Sequence, residues 1–203
     1  MKLYLLFLLV ATATVMSPGP GVVMTLTNAL RYGMRGTLGG ILGIAFGALL
    51  VAAISATSLG VLLAASSLAF TVLKYVGAAY LIYLGIRLWR APPFQFAEAS
   101  AQQASFSRRF VEGVSLQLTN PKAIFFFLSV FPQFIDPATN YAIQFASLVL
   151  TFSALVVVIH LTYAMFAKKA RNWLTSERGG RRVNKTAGVT FMFFGAALAS
   201  AKP

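Results

Sequence analysis

The sequence contains no cysteine and very few acidic residues. Without a cysteine among its 203 residues, the chain has no disulfide framework, no thiolate nucleophile and no cysteine-ligated zinc or iron–sulfur centre. One histidine and four Asp and Glu residues also leave no credible set of ligands for a metal ion. The sequence therefore predicts no metal site and no cofactor.

Charge of either sign is scarce. Only 10% of the residues are charged and 58% are hydrophobic, with a mean hydropathy of +0.77, whereas about a quarter of the residues in soluble domains are charged. The 17 Lys and Arg residues lie between apolar runs and do not form one basic patch, which argues against nucleic acid as a partner. The composition indicates an all-α integral membrane protein surrounded by lipid.

Six apolar runs have the length of membrane-spanning helices. The predicted spans are 3–28, 37–57, 68–88, 110–135, 142–166 and 184–200, and residues 58–67 either extend the second helix or form the turn after it. Eleven of the 17 basic residues fall in the first, third and fifth connections, and Arg87 and Lys185 lie at the span ends that adjoin them. This bias predicts that these connections are cytoplasmic and that both termini lie outside. Lys2, Leu3–Val10 and Ala11–Ala13 also resemble a cleavable signal peptide, but the apolar stretch continues beyond them and favours an intact first helix.

Two spans carry proline breaks about 100 residues apart. The first contains Ser17, Pro18, Gly19 and Pro20, and the fourth contains Asn120, Pro121 and Lys122. We interpret the chain as a single transmembrane transporter domain, 1–203, with two three-helix repeats, 1–90 and 108–203, joined by a cytoplasmic linker, 91–107. Because three is odd, the second repeat enters the membrane from the other side.

A broken helix at mid-membrane needs protein or water to satisfy its free backbone groups, so matched breaks predict a binding site. Packing kinks are the alternative.

The chain resembles the LysE/RhtB family of amino-acid exporters. The resemblance rests on Ser17-Pro18-Gly19-Pro20, on Gly77 to Gly85 in the third span, and on Asn120-Pro121-Lys122-Ala123 followed by Phe131-Pro132-Gln133-Phe134. It covers nearly the whole chain. Membership implies efflux of amino acids or close derivatives across the bacterial cytoplasmic (inner) membrane, driven by the proton gradient, and no enzymatic activity. A passive channel or an integral membrane enzyme is the alternative, and gradient dependence separates a channel from an exporter.

Residues at the two breaks are the predicted substrate-binding residues: Ser17, Pro18, Gly19, Pro20, Asn120, Pro121 and Lys122. Lys122 can meet a substrate carboxylate, and the carbonyls freed by the prolines, together with Asn120, can accept from a substrate ammonium. Snorkelling or a structural ion pair is the alternative role for Lys122.

Proton coupling needs a group that titrates, and the 97 residues before Glu98 contain no acid. Glu112 and His160 are the main candidates. The alternative explanations are a solvated helix-start glutamate that favours the helix dipole and a hydrogen-bonded packing histidine. Glycines 39, 40, 43 and 47 space small residues by three or four positions, which predicts a close helix-packing face that could also serve as a homodimer contact.

Overall fold

The computed structural model describes residues 2–17, 19–65, 67–93, 105–136 and 139–200. Its described secondary structure is helical throughout, as the sequence predicted. The helices are α1 (Lys2–Met16), α2 (Pro20–Ala65), α3 (Ser67–Arg90), α4 (Phe106–Leu118), α5 (Pro121–Phe125), α6 (Tyr141–Met165), α7 (Ala167–Thr175) and α8 (Glu177–Ser200), with a π-helical turn (Phe126–Val130) and a 3-10 turn (Phe131–Phe134) after α5.

Helix α2 is bent at Gly33. A straight helix of 46 residues would be about 69 Å long, more than twice the hydrocarbon thickness of a bilayer. Gly33 interrupts it with φ 67° and ψ −173°, a backbone conformation that favours glycine. The segment before Gly33 therefore completes the first predicted span, and the segment after it forms the second. That second segment continues to Ala65, so residues 58–65 extend the helix.

Both predicted helix breaks are confirmed. Helix α1 ends at Met16 and α2 begins at Pro20, and α4 ends at Leu118 before α5 begins at Pro121. Proline is favoured at the first position of a helix because the N–H that it lacks would have no helical partner there. The fifth connection contains the amphipathic helix α7, which the apolar runs did not predict. Much of the predicted linker, residues 94–104, lies outside the described residues.

The glycines of α2 pack against α4. An added Cβ would lie 2.6 Å from the Phe106 carbonyl oxygen at Gly39 and 2.7 Å from the Gln117 Cβ at Gly47, and at Gly43 it would clash with the Phe110 carbonyl. The predicted close-packing face is thus confirmed. In the described structure α4 covers this face, and the homodimer stays a prediction.

Two helices in the described part of the chain are long and apolar enough to cross a membrane, Pro20–Ala56 and Tyr141–Met165, and Leu3–Met16 is a shorter apolar helix. Along α6, Ile143, Leu150, Val158 and Met165 are each at least 60% exposed. Their spacing of seven or eight residues places them on one helical face. Such a continuous apolar stripe suits contact with lipid.

Candidate functional site

The first break leaves two carbonyl groups without helical donors. Pro18 and Pro20 have no N–H, so the carbonyls four residues earlier, those of Thr14 and Met16, cannot make the usual helical bond. The Tyr163 hydroxyl donates to the Met16 carbonyl at 2.9 Å, and the Ser17 hydroxyl donates to the Thr14 carbonyl at 2.8 Å. Side chains therefore satisfy the acceptors that the prolines expose.

The second break presents a capped helix start. Asn120 is buried and extended, with φ −78° and ψ 108°, and its side chain accepts from the Lys122 backbone N–H at 3.1 Å. Pro121 then opens α5. This is the usual N-cap arrangement, in which a short polar side chain satisfies a free N–H of the first turn.

Lys122 joins the two breaks. Its Nζ donates to the Thr14 carbonyl at 2.9 Å, to the Ser17 carbonyl at 3.0 Å and to Ser17 Oγ at 2.9 Å. A Cβ at Gly19 would lie only 3.3 Å from Nζ, so the ammonium sits directly against the break. An ammonium has three donors, and these contacts use all of them.

A small cavity lies beside this contact. Its polar lining comes from Thr14, Gln117, Asn120, Lys122 and His160, and the rest from apolar side chains of α1, α2, α5 and α6. Its volume of about 30 Å³ has room for roughly two water molecules. This cavity is too small for an amino acid, whereas a second cavity of about 480 Å³ lies against Met16, Ser17 and Tyr163 at the first break.

His160 also lines the cavity. The side chain is 4% exposed, and its Nδ1 lies 2.6 Å from the Thr25 hydroxyl. A Cβ at Gly21 would lie 3.2 Å from His160 Cε1, which shows how closely α2 approaches the ring. Of the two candidates for proton coupling, His160 is the one that the fold brings to the cavity.

Glu112 lies elsewhere. It is exposed on α4 and pairs with Arg108, four residues earlier, at 3.2 Å. The structure thus places it in a surface ion pair and not at the cavity. A pair of opposite charges four residues apart on a helix is a local pattern that sequence reasoning could have identified.

The structure brings together Ser17, Gly19, Asn120 and Lys122 from the predicted set. Pro20 and Pro121 begin the helices after the breaks, and Pro18 lies outside the described residues. Sequence reasoning missed Thr14, Thr25, Gln117 and Tyr163. Only Thr14 had a local signal, because its carbonyl lies four residues before Pro18.

Arg109 is buried, although the sequence analysis counted it only among the basic residues of the connections. Arg109 on α4 is 7% exposed, donates to the Gly36 carbonyl at 2.8 Å and stacks on the Tyr32 ring at 3.9 Å from its centroid. It joins α4 to α2 near the Gly33 bend.

No group of three or more metal-ligating side chains occurs among the residues that the structure describes.

Comparison with known proteins gives three findings. The family model described as "LysE type translocator" matches residues 12–202. The "Homoserine/homoserine lactone efflux protein" of Salmonella typhimurium (strain LT2) is 37% identical over 196 residues, which cover 97% of this chain and 95% of that protein. An "Uncharacterized membrane protein" of Vibrio cholerae serotype O1 is 36% identical over 199 residues, which cover 98% of this chain and 97% of that protein. No solved structure matches the chain.

Proposed function

Because the chain belongs to the LysE family of translocators, matched over residues 12–202, we propose that it exports a small amino acid or a close derivative across the bacterial inner membrane. The observation that carries this proposal is the contact between the two helix breaks, in which Lys122 of the second break binds the end of the first half-helix. Broken helices that meet at a polar site are characteristic of secondary transporters.

The relatives indicate which solutes to test first. Homoserine and homoserine lactone, the compounds in the Salmonella protein's name, share an α-ammonium group, but only homoserine has a free carboxylate. The end of α1 offers two carbonyl oxygens and a hydroxyl, which are acceptors suited to an ammonium. Lys122 is the cation available for a carboxylate. We therefore take both compounds as first probes.

The proposed architecture is six spans in two inverted repeats, 1–90 and 108–203. In the proposed repeat, Gly77 corresponds to Gly188 and Gly85 to Gly195, because Lys74-x-x-Gly77 and Lys185-x-x-Gly188 share one pattern and each is followed by a further glycine. A Cβ at Gly85 would meet the Gly188 carbonyl at 2.6 Å, and a Cβ at Gly195 would meet the Ala78 carbonyl at 2.8 Å. Exchanging the two repeats turns the contact between Gly85 and Gly188 into one between Gly195 and Gly77. This lies next to the contact between Gly195 and Ala78 in the structure, which supports a two-fold relation between α3 and α8.

We propose that export is coupled to protons and that His160 is the coupling group, because it lines the same cavity as Lys122. His160→Asn keeps a polar side chain but removes the titration. We expect this variant to exchange solute across the membrane while losing acceleration by a pH difference. Unchanged acceleration would show that the coupling group lies elsewhere.

Flux measurements on proteoliposomes test the function. Purified protein would be reconstituted, and uptake of labelled homoserine and of its lactone would be followed with and without an imposed pH difference. We expect gradient-dependent flux by the unmodified protein and only background flux by Lys122→Met at matched abundance. Equal flux with and without the gradient would indicate a passive channel, and no flux of either compound or of other amino acids would contradict the proposed function.

A further inference from the structure

The Lys122 ammonium is bound the way a free ammonium ion would be. All three of its donors are used, by the Thr14 carbonyl, the Ser17 carbonyl and the Ser17 hydroxyl, at 2.9 to 3.0 Å. None of these acceptors belongs to a carboxylate. An amino acid's own ammonium presents the same three N–H donors.

The acceptors exist independently of Lys122. The Thr14 carbonyl lacks its helical donor because residue 18 is proline, and both carbonyls lie at the C-terminal end of α1, where the helix dipole favours a cation. The end of α1 is therefore an ammonium site that the backbone generates. Lys122 reaches it from a position more than 100 residues away in the chain.

We propose that Lys122 is a tethered stand-in for the solute, occupying the site at the end of α1 that receives the ammonium of the transported compound. This inference rests on the proposed export function and specifies its recognition step. The adjoining cavity has a volume of only about 30 Å³. The second cavity, of about 480 Å³, lies against Ser17 on α1. Because the lysine ammonium already occupies the position between the three acceptors, a solute ammonium takes that position by displacing it.

Displacement of Lys122 also makes its ammonium available to bind the carboxylate of the solute. None of the described salt bridges involves Lys122, so the released ammonium has no acidic partner from the described chain beside the cavity. A buried ammonium without a counter-ion is costly, and the carboxylate of a zwitterionic solute provides one. The exchange replaces the lysine ammonium by the solute ammonium, and it breaks the hydrogen bonds by which Lys122 joins the two helix breaks.

Chemical rescue tests the site directly. Lys122→Ala removes the atoms beyond Cβ, which correspond to n-propylammonium. We expect n-propylammonium to raise the thermal midpoint of purified Lys122→Ala by roughly 3 °C at ten times its dissociation constant. The wild-type protein should not respond, because its site is occupied. Lys122→Met is the matched control, since its side chain fills the same space and should block the rescue.

Two further comparisons locate the effect. Propyltrimethylammonium carries the same charge but no N–H donor and should not stabilise Lys122→Ala. Adding Ser17→Ala to that variant removes one acceptor, and we expect the affinity for n-propylammonium to fall about tenfold, as for loss of a hydrogen bond to a charged group. If Lys122→Ala is too unstable to purify, the fraction of monodisperse protein extracted with and without n-propylammonium gives the same readout.

Equal stabilisation by both cations, equal stabilisation of the wild type, or no rescue in either readout would overturn the proposal. The outcome is distinguishable from that of the transport assay. Rescue in a protein that transports nothing would support the ammonium site and contradict the proposed function. Transport without rescue would support the proposed function and contradict the ammonium site.

Discussion

Replacing Lys122 by methionine should abolish transport at little cost in stability. The substitution removes all three hydrogen bonds of the ammonium. The Ser17 hydroxyl still donates to the Thr14 carbonyl, so only the Ser17 carbonyl is left without a described side-chain donor. One unsatisfied acceptor costs about 1–3 kcal/mol. Against this, the protein no longer buries an ammonium, which costs several kcal/mol per ion. We expect a net change in the free energy of unfolding within about 2 kcal/mol of zero.

The assay compares thermal midpoints and flux at matched abundance. Lys169→Met, an exposed position on α7, controls for the loss of a positive charge and should leave flux unchanged. Full flux by Lys122→Met would refute a role for this residue in binding. If Lys122→Met yielded no folded protein, the expected small change in the free energy of unfolding would be wrong, because the lysine would then serve mainly to stabilise the fold.

Three further predictions follow from the packing and the charges. Gly85→Ala places a Cβ 2.6 Å from the Gly188 carbonyl, so α3 and α8 must separate; we expect a loss of about 1–3 kcal/mol in detergent unfolding, and an unchanged midpoint would contradict the described crossing. Arg109→Lys loses the stacking on Tyr32, and we expect a loss of about 1–2 kcal/mol in the same measurement, whereas a stability equal to wild type would show that charge alone matters there. A single cysteine at Asn172, in this cysteine-free chain, should resist an impermeant thiol reagent in intact cells and react in inside-out vesicles, and labelling from outside would overturn the proposed topology.

The helix breaks were predictable because they depend on proline, whose effect is local. Ser17, Gly19, Asn120 and Lys122 therefore appeared in the predicted site. What Lys122 binds was not predictable in the same way, since its acceptors lie 105 and 108 positions away in the chain. The Thr25 to His160 contact spans 135 positions and left no local pattern.

The bend at Gly33 illustrates the other limit of sequence reasoning. Gly33 falls between the first two predicted spans, and nothing about its neighbours distinguishes it from the other glycines in that region. Its role became visible only through its positive φ. Similarly, Arg109 was assigned to loop charge because an arginine at a span boundary usually faces water, and only the packing of α2 beside α4 buries it.

The short contact between Thr25 and His160 has a consequence for how a proton could leave the ring. A hydroxyl can donate to an unprotonated Nδ1 and, by rotating, accept from a protonated one. The 2.6 Å contact can therefore persist in both charge states, so the imidazole keeps its orientation as its charge changes. Gly21 packs against Cε1, the carbon between the two ring nitrogens, and an added Cβ would lie 3.2 Å from Cε1 and 3.8 Å from Nε2. In the proposed coupling role, the threonine would therefore hold the ring in place, and the absence of a side chain at residue 21 leaves space beside Nε2 for a proton carrier such as water.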